Sequence, residues 1–485
     1  MNIILIVIDA LRAKNLGCYG FKDKISSNID KLAKEGVLFK NAFSCINTTD
    51  PSLTTIFTGK YPITHGIIKH GAQVKREDVE KFYKTNKWTL AKILRSEGYK
   101  TLAVDWLGRW HRIGFDYYSG ILRDKQYGKA REYKNKRESN IKKFLISKLR
   151  QYPTLFRILE STKYKLSGKR AKGVPRALIF GDAEIVTEQA KQLIMKYYKN
   201  KFFLFIHYWD THAPYYCPQT YAERYYTPDN DRELNEILKK IKRPERKDTI
   251  ANMGKSVNEV ISKYYGAIEF VDEQIGRLIE FLDNLGILDN TLIVLTSDHG
   301  ESLTEHGIYF DHHGLYDVSI HVPLIFRCPE ILPKGKVIDG FVQHVDIAPT
   351  ILEVLGLPKY YGFDGYNLIP LILGEANNLR DSVFVEEAQV QRKIAIRTNK
   401  FKYIKAFSKH EVVCRYCGIV HGNFEELYDL EADPNETDNI IEARPEIAKD
   451  MKRKLAEFIL SLKMRRERDE LVKKKIESLK QLGKI

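Results

Sequence analysis

The stretch Ile3-Ile4-Leu5-Ile6-Val7-Ile8-Asp9 decides how the rest of the chain is read. Six consecutive aliphatic side chains leave no polar face, and the run is too short for a helix of its own. It reads as a strand buried on both sides that delivers Asp9 at its carboxyl end. Two more runs of the same kind follow: Phe202 to Ile206, running into His207, Asp210 and His212, and Thr291 to Leu295, running into Ser297, Asp298 and His299. Thr101 to Val104 is a shorter one. Helices are expected between them, from Ser26 to Gly36, Leu90 to Glu97, Asp182 to Tyr198 and Val260 to Leu285. The last carries Ile268, Val271, Ile275, Leu278, Ile279 and Leu282 on one stripe. Strands without a polar face, alternating with amphipathic helices, imply an α/β fold with a mostly parallel central sheet flanked by helices. Ligands of such sheets lie beyond the carboxyl ends of the strands, where the three aliphatic runs place their polar residues.

The remainder of the chain bounds its class. It has 485 residues, 43% hydrophobic and 29% charged, the composition of a globular protein with a sizeable core. No apolar run reaches the ~18 residues a membrane span needs. The first residues lack a basic leader and a small-residue cleavage site, so a cytoplasmic location is expected. Six cysteines do not make a disulfide scaffold. The formal charge of +16 is unevenly spread: 17 Lys/Arg against 4 Asp/Glu fall between Ile121 and Pro175, and 12 against 6 between Asp450 and Ile485.

These shifts suggest three parts. Residues 1–375 read as the main α/β domain, interrupted by a basic helical insert at 121–175. Residues 376–465 form a small α+β subdomain, with short strands at Ser382 to Glu386, Lys393 to Thr398 and Lys402 to Lys405, after which Glu425 to Asp429 leads through Asp433-Pro434 into a helix from about Pro445 to Lys463. Residues 466–485 form a basic amphipathic tail. The insert reads either as an arm that draws polyanions or an acidic membrane surface toward the site, or as a solvated Lys-rich hairpin. Nucleic acid is not expected as a partner, because no recognised binding module accompanies the charge.

Asp9, Asp298 and His299 supply two carboxylates and an imidazole, a donor set for one divalent cation. Mixed oxygen and nitrogen ligands suit Mn²⁺, Mg²⁺ or Zn²⁺ better than Ca²⁺. The hydroxyl-rich stretch from Asn47 to Gly59 could place a threonine at a helix N-terminus, where backbone amides favour an anionic ester; such clusters also serve simply as helix caps. Cys414-Arg415-Tyr416-Cys417 is half a zinc site, with His421 or Cys217 as conceivable partners, or equally a reduced pair or a local disulfide.

Many blocks in fixed order carry a family resemblance. They include Ile8-Asp9-Ala10-Leu11-Arg12 with Leu16-Gly17-Cys18-Tyr19-Gly20, Pro51-Ser52 with Thr58-Gly59-Lys60-Tyr61-Pro62, and His207 through Tyr215. Thr296-Ser297-Asp298-His299-Gly300-Glu301 is the most specific, and Leu315-Tyr316-Asp317, Val322-Pro323-Leu324-Ile325 and His344 through Thr350 follow it. The chain resembles the sulfatase branch of the alkaline-phosphatase superfamily over most of its length. The resemblance implies that Asp9, Asp298 and His299 hold the metal together with Thr49, which stands at the nucleophile position two residues before Pro51-Ser52. It implies that His212 lies near the ester oxygens, and it adds His313, ahead of the Leu-Tyr-Asp block, as well as Arg109 and His111 of Gly108-Arg109-Trp110-His111.

The departures from the family pattern bear on the chemistry. Sulfatases proper carry Cys or Ser at the nucleophile position, oxidised to formylglycine, and an Arg two residues after the proline. This chain has Thr49 and Leu53. A secondary alcohol cannot become that aldehyde, and Cys45, four residues upstream, lacks the motif. Ala10 replaces the second of the family's paired aspartates. Formylglycine expels sulfate by breaking its own C–O bond, whereas a threonine ester must be attacked at sulfur or phosphorus. The expected activity is therefore metal-dependent hydrolysis of a sulfate, phosphate or phosphonate ester. Two alternatives stand beside it: transfer of a phospho-group to a glycan or lipid head group, and polyanion binding without catalysis. The substrate class, the choice between hydrolysis and transfer, and the oligomeric state are not fixed by the sequence.

Overall fold

The computed structural model describes residues 1–119, 182–229, 231–357 and 362–481, so the basic insert at 121–175 lies outside the described residues. The strands are β1 (Asn2–Ile8), β2 (Val37–Phe39), β3 (Ala42–Phe43), β4 (Lys100–Val104), β5 (Tyr117–Tyr118), β6 (Phe202–Tyr208), β7 (Thr291–Ser297), β8 (Leu324–Arg327), β9 (Lys336–Ile338), β10 (Val342–Gln343), β11 (Val383–Glu387), β12 (Lys393–Arg397), β13 (Phe401–Ala406) and β14 (Glu425–Asp429). Eight of them form the main sheet in the order β5-β4-β6-β1-β7-β8-β2-β9. All neighbours in it run parallel except β8, which is antiparallel to both β7 and β2.

β1 sits between β6 and β7, with Ile8 in register with Tyr208 on one side and Ser297 on the other. Its pleat explains its composition. Ile4, Ile6 and Ile8 face one half of the core, while Ile3, Leu5 and Val7 face the other. Burial on both faces requires that no position be polar until the strand ends. Because the chain leaves β1 for partners on opposite sides, the crevice above its carboxyl end lies at a topological switch point.

Helices cover both faces. The helix Val257–Asn284 opens at Ser256, whose hydroxyl accepts the Glu259 N–H at 3.2 Å, and buries Ile268, Val271, Ile275, Leu278 and Leu282. Helices α1 (Ser27–Lys34) and α2 (Thr49–Thr58) lie in the first crossover. A second, four-stranded antiparallel sheet, β11-β12-β13-β14, and the helix Pro445–Gln481 follow in the C-terminal third. Cys45 and Tyr61 pack with Phe384, Tyr403 and Leu455 between the two parts. Among the described residues no helix is long and apolar enough to cross a membrane.

Candidate active site

The chain turns sharply where β1 ends. Ala10 adopts the left-handed conformation (φ 59°), unusual for a residue with a side chain. Three bonds hold the turn: the Ala10 N–H donates to Asp298 Oδ1 at 3.1 Å, the Tyr264 hydroxyl donates to the Ala10 carbonyl at 2.8 Å, and the Leu11 N–H donates to Ser297 Oγ at 2.9 Å. The end of β1 is thereby fastened to the end of β7, and Asp9 is brought to Asp298 across 289 residues of sequence.

Asp9, Asp298 and His299 are fully buried, and their ligand atoms all lie within 4.8 Å of one another. His299 Nε2 is 3.3 Å from Asp298 Oδ2 and 3.7 Å from Asp9 Oδ1. Its Nδ1 is 2.8 Å from the Gly300 carbonyl, which assigns the proton to Nδ1 and leaves Nε2 as the ligand atom. Asp298 Oδ1 is consumed by the Ala10 and His299 amides, while Oδ2 accepts no hydrogen bond among the described residues. Two carboxylates facing each other in a water-excluded crevice are costly without a cation between them. The donor set fits a divalent metal ion on that ground.

Thr49 joins the same cluster as the first residue of α2, with Oγ1 3.4 Å from His299 Nε2. The helix is docked by its own next turn, since Ser52 Oγ donates to the Asp298 carbonyl at 2.7 Å and lies 3.1 Å from His344 Nδ1. Leu53, at the position where the family pattern has arginine, is buried in the core. Cys45 is buried as well, and burial pushes its thiol well above the usual range.

The other expected site residues divide. His212 follows β6, with Nδ1 2.6 Å from the Ala213 carbonyl. Its ring stands 5.6 Å from that of His312, and His312 stacks on His299 at 4.0 Å. His312 was not anticipated by sequence reasoning, which took the following residue. The structure does not bring His313 to this cluster. Its ring lies 4.8 Å from His421, beside Cys414 and Cys417. Neighbouring side chains of an extended segment point to opposite sides, so a one-residue error in register exchanges one neighbourhood for the other. Burial, with His299 adjacent, pushes the His312 imidazole down to about 3.

Arg109 pairs with the carboxylate of Asp50, the residue after Thr49; His70 Nδ1 is 2.8 Å from the same oxygen and the Gly71 amide donates to it at 2.9 Å. Trp110 Nε1 donates to Thr54 Oγ1 at 2.8 Å, fixing the loop on α2. His111 lies further from the centre. Its Nε2 is 3.3 Å from Asp105, Asp105 is 3.0 Å from His207 Nδ1, and His207 Nε2 is 3.9 Å from Asp9. His111 is thus connected to Asp9 through Asp105 and His207. Although burial opposes it, the bonds from His111 and His207 hold the Asp105 carboxyl well below the usual range. Glu301 also went unanticipated. It is fully buried near the cluster, and burial, together with Asp311 and Asp9, pushes its carboxyl well above the usual range.

Residues 1–357 match the family model described as Sulfatase, and residues 304–461 match the model for the C-terminal region of N-sulphoglucosamine sulphohydrolase. The chain belongs to the sulfatase family. It is 24% identical to an N-acetylglucosamine-6-O-sulfatase of Bacteroides thetaiotaomicron, with 93% of this chain and 84% of the relative covered. It is 28% identical to an arylsulfatase of Clostridium perfringens, covering 91% and 90%. Among solved structures it is similar to a protein bound to its substrate D-glucosamine-2-N,6-O-disulfate (TM-score 0.67, 21% identity, 95% of this chain and 98% of that one). It is also similar to the phosphonate monoester hydrolase of Agrobacterium radiobacter (TM-score 0.64, 21% identity, 96% of each). The sulfatase fold thus accounts for the central sheet, the flanking helices and the C-terminal sheet.

Proposed function

We propose that this sulfatase-family chain is a metal-dependent hydrolase of an anionic ester that uses Thr49 as its nucleophile and prefers phosphate or phosphonate esters to sulfate esters. The observation that carries the proposal is the position of an unmodifiable threonine hydroxyl at the start of α2, 3.4 Å from the imidazole of a buried Asp9–Asp298–His299 set. That the relatives' names include both sulfatases and a phosphonate monoester hydrolase is consistent with either ester class on this scaffold.

Asp9, Asp298 and His299, with Thr49 beside them, would hold a divalent cation, which would supply a Lewis acid to acidify the nucleophile and offset charge on the transferred group. The chain's own residues then do the following. Thr49 Oγ1 gives up its proton to solvent and bonds to phosphorus. The ester P–O bond breaks, and its oxygen takes a proton from Nε2 of His212 in its imidazolium form, whose Nδ1–H is committed to the Ala213 carbonyl. Water attacks phosphorus and passes one proton to His212 Nε2, the Thr49–phosphorus bond breaks, and Oγ1 takes a proton back from solvent. His312, neutral at working pH, keeps the wall beside His299 without adding charge. Arg109 fixes Asp50 and with it the first turn of α2.

The test is a panel of aryl sulfate, phosphate monoester, phosphate diester and phosphonate monoester substrates, each with Mn²⁺, Mg²⁺, Zn²⁺ and Ca²⁺, comparing the wild type with Thr49→Ala. Turnover of a phosphorus ester that is lost in the variant is expected. Equal rates in the two proteins would remove Thr49 as nucleophile, and turnover confined to aryl sulfate would reverse the ester preference. Acceleration by an added acceptor alcohol, with the phospho-group recovered on it, would make the reaction a transfer.

A further inference from the structure

We propose that His313, Cys414, Cys417 and His421 form a structural zinc site, separate from the Asp9–Asp298–His299 centre and independent of the activity assigned to it. All four residues are buried, and their ligand atoms lie within 4.8 Å of one another. A tetrahedral zinc with Zn–S of about 2.3 Å and Zn–N of about 2.0 Å separates its donors by about 3.3–3.8 Å. Cys417 Sγ already stands 3.0 Å from His421 Nε2, so closure on an ion needs shifts of an ångström or less.

The local backbone is shaped for two thiolates. Residues 412–421 form a tight hairpin in which Val413 bridges Val420, the Cys414 N–H donates to the Ile419 carbonyl at 2.8 Å, and the Gly418 N–H donates to the Cys414 carbonyl at 2.9 Å. Gly418 takes the left-handed conformation (φ 74°) that this reversal requires. Inside the hairpin, Cys414 Sγ accepts the Tyr416 and Cys417 amides at 3.3 Å each, and Cys417 Sγ accepts the Ile419 amide at 3.4 Å. Backbone N–H groups aimed at sulfur stabilise its anionic, metal-binding form.

His313 supplies what the hairpin lacks. Its Nδ1 lies 3.5 Å from Asp311 Oδ1, the carboxylate partner that orients a ligating imidazole, which leaves Nε2 for the ion. Asp311 is itself held by Arg246 at 3.1 Å. Cys217 is elsewhere, with its sulfur 3.7 Å from the Lys263 carbonyl. Two thiolates and two imidazoles in a closed, buried shell select zinc among the common divalent ions, and such a shell has no open position for substrate. The ion would tie the loop between β13 and β14 to the segment that carries His312.

Cobalt distinguishes this site from the other centre, because only sulfur ligands give a thiolate-to-cobalt charge-transfer band. The full-length chain, stripped with chelator under reducing conditions and titrated with Co²⁺, is expected to develop that band and tetrahedral d–d bands, saturating at one equivalent per chain and abolished by Zn²⁺. Asp298→Asn should leave the bands in place. His313→Ala should weaken Co²⁺ binding on the order of 100-fold. If Cys417→Ser fails to accumulate, iodoacetamide labelling of the wild type read by mass spectrometry serves instead: zinc should block Cys414 and Cys417, and chelator should expose both. Absence of the charge-transfer band, alkylation indifferent to zinc, or a Cys414–Cys417 disulfide in the protein as isolated would each overturn the proposal.

Discussion

The Asp9–Asp298–His299 cluster and the His313–Cys414–Cys417–His421 cluster meet at one dipeptide. His312 stacks on a ligand of the first and His313 belongs to the second. The first is built from hard donors, mostly oxygen, gathered from strand ends nearly 300 residues apart, and it includes a hydroxyl that can react. The second draws three of its four residues from a stretch of eight, with sulfur donors and no reactive neighbour. The contrast teaches that donor chemistry and local geometry separate a centre that works on a ligand from one that holds the chain, even when the two share adjacent residues.

Breaking the first cluster should give the largest effect. Thr49→Ala is expected to lower kcat by about 10⁴-fold or more while leaving the cobalt–thiolate band and the melting temperature nearly unchanged. Paired steady-state kinetics and thermal scans check this. Breaking the second should invert the pattern. Cys417→Ser is expected to cost about 3 kcal/mol of stability in denaturant unfolding, with kcat within tenfold of wild type wherever the protein remains folded. The dipeptide itself sharpens the division. His312→Ala should reduce kcat/KM by about 100-fold with full cobalt–thiolate absorption, whereas His313→Ala should do the opposite.

The smallest effect concerns the rim of the first cluster, where Arg12 reaches Glu305 at 2.7 Å. Burial raises the Glu305 carboxyl, but the guanidinium outweighs it and holds the group down to about 2, against 4.5 for a free glutamate. The folded pKa is depressed, so the pair's contribution is complete above about pH 4.5 and is lost as pH falls toward 2. With Glu305 partly exposed, screening limits this to about 1–2 kcal/mol. Glu305→Gln should flatten the acid limb of a stability–pH profile by that amount, and an unchanged limb would assign the acid sensitivity to other carboxylates.

Much of the first cluster was legible because its ligands sit where unbroken aliphatic runs stop. Ile3 to Ile8 can only be a doubly buried strand, and the polar residue after it must stand at the sheet's carboxyl edge. Phe202 and Thr291 begin runs of the same kind, so β6, β7 and the helices around them follow from pattern alone. β8 did not. Leu324–Arg327 resembles the parallel strands of the sheet in composition, and its direction, antiparallel to both neighbours, is set by a connection that carries no periodicity. His312 was missed for a related reason. Two adjacent histidines are equivalent in composition, and only the path of the loop decides which one turns inward. The links from His111 to Asp9 through Asp105 and His207, and from His313 to a hairpin about 100 residues later, are tertiary facts with no local signature.

The Ala10 turn carries one more consequence. The bond from its amide to Asp298 joins the end of β1 to a segment that emerges from the ribosome only after most of the main sheet has been made. During synthesis the sharp reversal at Ala10 must wait, unsupported, until β7 arrives. The proposed ion could therefore be captured at that crevice only late in the life of a nascent molecule, and a chain cut short before residue 298 would lack two of the three side chains offered to it.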